Sequence, residues 1–295
     1  MKEKDIRAKE RAAILIAILA AALYALNSPL SKLLLYNVSS TTMAGLLYLG
    51  AGAGLLVVRI IQNQLKIENK EKRLAKEDTP YTIAMVLLDI AAPICLMAGL
   101  AHTTAANVSL LNNFEIVATS MIALLIFNEK VSKRLWMAII LVTIASIILS
   151  IEDTGSFQFS FGSVFVLLAC VCWGFENNCT RKISEKDPLQ IVVIKGFGSG
   201  CGSLIIAFIL GEHIPEIKYI VCALLLGFVA YGLSIFFYIY AQRTLGAAKT
   251  STYYAVAPFI GVALSLIIFR KMPDISFWIA LVIMAAGTYL ASTDY

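Results

Sequence analysis

Apolar residues run along this chain in blocks of about twenty, each closed by a charge or a turn residue, and that spacing predicts membrane-spanning helices. The blocks cover residues 12–35, 41–61, 81–101, 105–127, 135–151, 160–180, 189–210, 218–241, 250–269 and 275–292, which makes ten spans. Residues 62–79, rich in Lys and Glu, form the only sizeable polar connection and read as a solvated loop in preference to a lipid head-group site.

Composition gives the same answer. Hydrophobic residues make up 59% of the chain and charged ones 15%, against roughly 25% charged in a soluble domain. A mean hydropathy of +0.82 leaves little for a water-facing exterior. Soluble enzymes, secreted domains and nucleic-acid binders are thereby excluded. The net charge of +5 does not imply an anionic partner, because the cations sit between the apolar blocks. With the N-terminus inside, 18 of the 24 Lys and Arg fall on the cytoplasmic side. Lys218, Arg270 and Lys271 lie outside, while Lys32, Arg59 and Lys195 lie within spans. Such a bias places both termini in the cytoplasm and the chain in the plasma (inner) membrane. The first block has the look of a signal peptide, but nine spans follow it and it matches the sixth, so it is read as retained. The six Cys fall in apolar stretches without paired spacing and read as small buried residues; no metal or cofactor is expected.

The chain repeats itself. Tyr24-Ala25-Leu26-Asn27-Ser28-Pro29-Leu30-Ser31-Lys32 lies over Trp173-Gly174-Phe175-Glu176-Asn177-Asn178-Cys179-Thr180-Arg181, and a shift of 142 pairs Gly99 to Ile151 with Ala241 to Thr293 without a gap. Five spans per unit force the two halves into opposite orientation, the inverted repeat of many secondary transporters. Residues 1–10 then form a cytoplasmic tail, 11–151 the first unit and 159–292 the second.

Several segments resemble one family. Trp173-Gly174, the run Gly246-Ala247-Ala248-Lys249-Thr250-Ser251 and Ala257-Pro258-Phe259 are similar to the EamA-type branch of the drug/metabolite transporter superfamily. The first half echoes them in Thr104-Ala105-Ala106-Asn107-Val108-Ser109, Glu115-Ile116 and Asn128-Glu129. Ile116 stands where the family has proline, Arg270-Lys271 where it has a second Gly-Glu, and Tyr24-Ala25 where it has Trp-Gly. The resemblance implies an all-α polytopic membrane protein: ten helices in two inverted five-helix repeats around a central cavity. It also implies alternating-access transport of small organic molecules.

Ionisable side chains in apolar spans cost on the order of 2.5–3.5 kcal/mol at the bilayer centre, so they should face a cavity or a partner. Asp89, Glu115 and Glu176 qualify. Helical spacing puts Asn112, Glu115 and Thr119 on one stripe, Tyr24, Asn27 and Ser31 on a second, and Trp173, Glu176 and Thr180 on a third, with Asn177 beside it. In the second half Tyr231, Ser234 and Tyr238 form a stripe on the eighth span, and Ser251, Tyr254, Pro258 and Gly261 one on the ninth. Each acid reads either as a substrate or proton site or as a structural pair. Lys195 reads as reaching toward the head groups, with neutralisation of Glu176 as the alternative; Lys32 and Arg181 read as snorkelling. Trp136 and Trp278 read as interface anchors, and Trp173, Tyr24, Tyr253 and Tyr254, deeper in the spans, as core packing, with a wall suited to an amine as the alternative. Glycines at 50/54, 196/200 and 198/202 have the spacing of close helix packing.

The expected activity is export of a small polar metabolite, an amine or amino acid, with protons competing for the cavity acids. The partners are that substrate, the lipid bilayer and protons; nucleic acid is excluded, and a homodimer is left open. An intramembrane enzyme would need a nucleophile and base or a metal cluster, and the chain has no HExxH or GxSxG and only His102 and His213. A membrane scaffold without flux is the third reading.

Overall fold

The computed structural model describes residues 2–66, 71–127, 132–153, 158–183, 185–245, 250 and 253–292. The first half contains α1 (Lys2–Ala25), α2 (Asn27–Leu34), α3 (Ser40–Gln64), α4 (Thr79–His102), α5 (Ala105–Leu111), α6 (Phe114–Phe127) and α7 (Lys133–Ser150). The second contains α8 (Phe161–Ile183), α9 (Pro188–Ile209), α10 (Ile217–Gly227), α11 (Ser234–Leu245), α12 (Ala257–Phe269) and α13 (Ile275–Ser292). Between the halves, β1 (Ile151–Asp153) and β2 (Gln158–Phe159) form a minimal antiparallel ribbon, a small exception to an otherwise helical chain. Among the described residues nine stretches are long and apolar enough to cross a bilayer, and α12 is a shorter apolar helix in the place of the ninth span. Asn128-Glu129, Gly246–Lys249 and Ser251, which carry part of the family resemblance, lie outside the described residues.

Four spans are interrupted. The first breaks at Leu26 between α1 and α2, and the fourth at Asn112 and Asn113 between α5 and α6. The eighth passes from α10 to α11 through a π-helical turn at Phe228–Leu233, and the ninth turns at Ala255 and Val256 ahead of α12. Pro258 at the start of α12 needs no amide partner there. The fourth-span break is held by side chains: Asn113 Nδ2 donates to the Leu110 carbonyl at 3.0 Å, and Thr288 of α13 donates to Asn113 Oδ1 at 3.1 Å. Such interruptions occur in membranes only where neighbouring groups satisfy the freed backbone or where it lines a cavity.

The packing obeys a two-fold rule. The third span packs on the sixth and the eighth on the first; the fourth packs on the sixth and the ninth on the first. The second packs on the eighth, and the seventh on the third. The pairs two–seven, four–nine and five–ten map onto themselves. Exchanging the halves therefore reproduces these main contacts, while smaller ones such as the first span on the fourth are made in the first half.

At the centre α3 and α9 cross in antiparallel sense. Gly196 faces the backbone of Gly52, Gly200 faces Leu49, and on the other side of α9 Gly198 and Gly202 meet Val86 and Ile90 of α4. The tightest approaches to backbone join α3 to α10: a Cβ at Gly227 would stand 2.0 Å from the Leu47 carbonyl oxygen, and one at Gly50 would stand 2.1 Å from that of Leu224. Backbone cannot yield there as a side chain can. Gly227→Ala is expected to lower unfolding stability in detergent by about 1–3 kcal/mol. Gly198→Ala, which meets only the Val86 side chain, should cost less.

Polar clasps fix both ends of this pair. At one end Glu212, following α9, accepts from the amides of Thr41 (3.2 Å) and Thr42 (2.8 Å) and from the Thr42 hydroxyl (2.6 Å) at the start of α3. At the other, Arg59 of α3 pairs at 2.9 Å with Asp187, whose Oδ1 caps α9 by accepting from the Leu189 amide at 3.0 Å. Partial burial opposes ionisation of Glu212, but the hydrogen bonds from Thr42 and Thr41 outweigh it and hold the carboxyl below its ordinary range. Its contribution is therefore complete above the unfolded value of about 4.3 and is lost as pH falls through the lower folded value. Glu212→Gln should remove that part of the acid sensitivity, measured as the slope of unfolding midpoint against pH below 5.

The outward face is apolar, as a lipid-facing surface must be; Trp136 and Trp278 are partly exposed at the starts of α7 and α13, as interface anchors should be. The cysteines are corrected in part. Cys170 is buried, Cys95, Cys172 and Cys179 are half-buried, and Cys201 and Cys222 are exposed, which costs a small apolar side chain little against lipid.

Candidate functional site

Asp89 lies at the middle of α4 and Glu176 in the second half of α8, and both are essentially closed off, at 0% and 2% exposure. Lys195 of α9 joins them. Its Nζ stands 3.0 Å from Asp89 Oδ2 and 3.0 Å from Glu176 Oε1. This corrects the expectation that Lys195 reaches for the head groups: two buried carboxylates offer it stronger partners than lipid, at lower entropic cost than an extended side chain. The Tyr48 hydroxyl donates to Asp89 Oδ1 at 2.9 Å, and the Thr180 hydroxyl donates to Glu176. The triad brings two acids and one cation together from three spans.

Glu115 sits apart from that triad in the first turn of α6. The chain turns at Asn112 and Asn113, and the first amides of α6, those of Glu115 and Ile116, donate to the Asn112 (3.1 Å) and Asn113 (3.0 Å) carbonyls. The Asn177 amide of α8 donates to Glu115 Oε1 at 2.6 Å and reaches Thr119 Oγ1 at 3.4 Å. Among the described residues no cation lies within ion-pair distance of Glu115, and its side chain stays only half-buried.

Tyrosines connect the two carboxylate centres. The Tyr48 and Tyr231 rings are 5.2 Å apart, Tyr231 and Tyr24 5.9 Å, Tyr24 and Tyr254 6.0 Å, and Tyr254 and Tyr238 5.0 Å. Tyr231 is carried on the π-helical turn of the eighth span. Its hydroxyl accepts from Asn27 Nδ2 at 3.0 Å, and Asn27 Oδ1 accepts from Ser31 at 3.0 Å. Tyr254 shares a 3.0 Å hydrogen bond with Ser234, whose hydroxyl also donates to the Ala20 carbonyl at 2.9 Å. Tyr24, Tyr231 and Tyr254 all lie within electrostatic reach of Glu115. Trp173 is buried beside Tyr48. Asn112 is buried at the helix break with Oδ1 unpartnered.

The internal repeat explains the arrangement. The 142-residue shift, extended toward the N-terminus, superposes Asp89 on Tyr231 and Asn112 on Tyr254, while the other alignment superposes Asn27 on Glu176. Asn27 with Tyr231, and Glu176 with Asp89, are thus equivalent pairs at the two crossings one–eight and six–three. In one crossing an amide donates to a phenol and the contact is neutral. In the other two carboxylates meet, and Lys195 between them makes the contact possible. Sequence reasoning carried Lys195 beside Glu176 only as the alternative and missed Tyr48 and the contact with Asp89, which join spans that no register in the chain relates.

The remaining charges are accounted for locally. Lys32 donates to the Leu100 (2.6 Å) and Ala101 (3.0 Å) carbonyls, capping the end of α4 instead of snorkelling. The His102 ring stacks edge-on with Phe161 at 5.5 Å, and His213 lines a separate 410 Å³ recess with Tyr36, Asn37 and Glu216. Among the described residues no group of three or more His, Cys, Asp or Glu could hold a metal ion.

Comparison with known proteins agrees with this architecture. The model of the EamA-like transporter family matches the chain twice, over residues 11–151 and 160–293. An uncharacterized transporter of Methanothermobacter thermautotrophicus is 25% identical over 285 residues, covering 90% of this chain and 82% of that protein. A solved crystal structure superposes with a TM-score of 0.67 at 15% identity over 95% of both chains, a likeness of fold alone.

Proposed function

The chain belongs to the EamA-like transporter family and is a multi-pass membrane transporter, and on that premise we propose that it exports a small amine-bearing metabolite in exchange for protons. The reading places it in the plasma (inner) membrane with both termini cytoplasmic, as the Lys and Arg bias favours. One observation carries the substrate class: Glu115 is a central carboxylate with an amide and a hydroxyl beside it and no cation among the described residues. A protonated amine would fill that vacancy in charge, and the mutually packed rings of Tyr24, Tyr231 and Tyr254 would offer it aromatic surface.

Coupling follows from exclusion. Glu115 holds either a proton or the ammonium group, so a cytoplasmic amine displaces a proton taken up from outside, and the two alternate as the halves rock about the α3–α9 crossing. Asp89 and Glu176 act differently, because both already have Lys195 as an ion partner. Their part is to hold the third, sixth and seventh spans in one arrangement. Asn112, Asn27, Trp173 and Asn177 shape the surface against which the substrate rests. The test is amine flux into proteoliposomes under an imposed pH gradient, with Glu115→Gln as the deciding variant.

A further inference from the structure

A slot of 240 Å³ opens between α3 and α9 at the end of the bundle where Arg59 and Asp187 clasp the two helices. Leu56, Leu189 and Val193 form its walls, and Arg59, Arg73 and Gln190 form its head. Leu56 is 38% exposed on the outward face, so the slot opens toward lipid. No carboxylate lines it; Asp187 stands behind Arg59 and engages one edge of that guanidinium, leaving other N–H groups directed elsewhere.

Arg73 belongs to the polar loop that the sequence presents as merely solvated. In the structure the loop backbone around it is pinned. The Asp187 amide donates to the Lys72 carbonyl at 2.8 Å, and the Leu74 amide donates to Gln190 Oε1 at 3.0 Å. Lys186 pairs with Asp78 at 3.0 Å at the far end of the same segment. Arg73 lies between two anchored residues and is exposed, with no carboxylate in ion-pair range among the described residues. The bond to Leu74 also fixes the Gln190 amide so that its NH2 group remains a donor.

We propose that this slot binds one anionic phospholipid, its phosphodiester held by Arg73, the outer edge of Arg59 and the Gln190 amide, and its acyl chains against Leu56 and Val193. The charge complementarity is that of basic pockets between spans that take anionic head groups. The apolar walls distinguish a lipid from a free phosphate, which would have no use for them. The inference is independent of the substrate and of proton coupling.

The experiment uses the purified full-length protein in detergent, titrated with short-chain phosphatidylglycerol, phosphatidylcholine of equal chain length, or inorganic phosphate, and reads the unfolding midpoint. Phosphatidylglycerol should raise the midpoint, with the other two well behind. Arg73→Gln, an exposed and structurally benign change, should weaken the apparent affinity about fivefold, and Val193→Trp, which fills the slot, should abolish the shift. Equal protection by phosphatidylcholine overturns the head-group contact, and equal protection by phosphate overturns the lipid. Unchanged titrations in both variants place the lipid elsewhere and overturn the site.

Discussion

Lys195→Met is expected to be the most destabilising single change in the interior of this transporter. The wild-type ammonium lies 3.0 Å from both Asp89 and Glu176, and neither acid has water to turn to. Removing one partner of a buried ion pair leaves an uncompensated charge and costs about 3–5 kcal/mol. Here two acids are left facing one another, with only the Tyr48 and Thr180 hydroxyls to solvate them. The expected result is a large fall in unfolding midpoint and poor recovery from the membrane. Neutralising all three members, in Asp89→Asn with Glu176→Gln and Lys195→Met, should restore most of the loss, since the equivalent crossing is already neutral in Asn27 and Tyr231. A wild-type midpoint in the single variant would remove the ion lock from this account. So would a triple variant no better than the single one, because the fault would then lie in packing and not in charge.

The triad also shows what could be read from sequence and what could not. Ten spans and their alternation follow from apolar blocks of bilayer length, and the doubling follows from matched polar punctuation such as Tyr24 to Lys32 over Trp173 to Arg181. Those signals are local or periodic. Lys195 carries neither: a lone lysine well inside a span has the same sequence signature whether it reaches outward or binds inward. Its partners lie on α4 and α8, and no register in the chain relates those helices to α9. Lys32 was misread for the same reason, since its acceptors are carbonyls at the end of α4. The interruptions at Leu26, at Asn112 and Asn113 and at Phe228–Leu233 were equally hidden. Phe228–Leu233 is apolar throughout, and the polar residues at Asn27-Ser28-Pro29 and Asn112-Asn113 read equally well as cavity lining, so contacts such as Thr288 to Asn113 are needed to locate the breaks. The ten residues nominated as a site share one region, but as two centres joined by tyrosines instead of one ring of equals. The break at Asn112 and Asn113 is what sets Glu115 apart, by starting a new helix just ahead of it.

Glu115→Gln should therefore behave unlike any change in the triad. The variant keeps the shape and leaves an oxygen to accept from Asn177, so the unfolding midpoint should move little. What it loses is the charge. If proton and amine compete for that carboxylate, as proposed, raising the pH should strengthen amine binding by up to about tenfold per unit while the carboxyl is still largely protonated. At higher pH, with the site ionised, the dependence flattens. In the variant no proton is exchanged at that position; amine affinity should fall about tenfold or more, as for a lost charge-assisted contact, and its pH dependence should vanish. Downhill flux through the altered site is expected to persist at reduced rate, whereas a pH gradient should no longer drive accumulation. The two readouts separate the possible failures. A variant that still accumulates amine against its gradient would show that another group carries the proton. Retained affinity with lost accumulation would keep the proton on Glu115 and move the ammonium to the ring faces of Tyr24 and Tyr254.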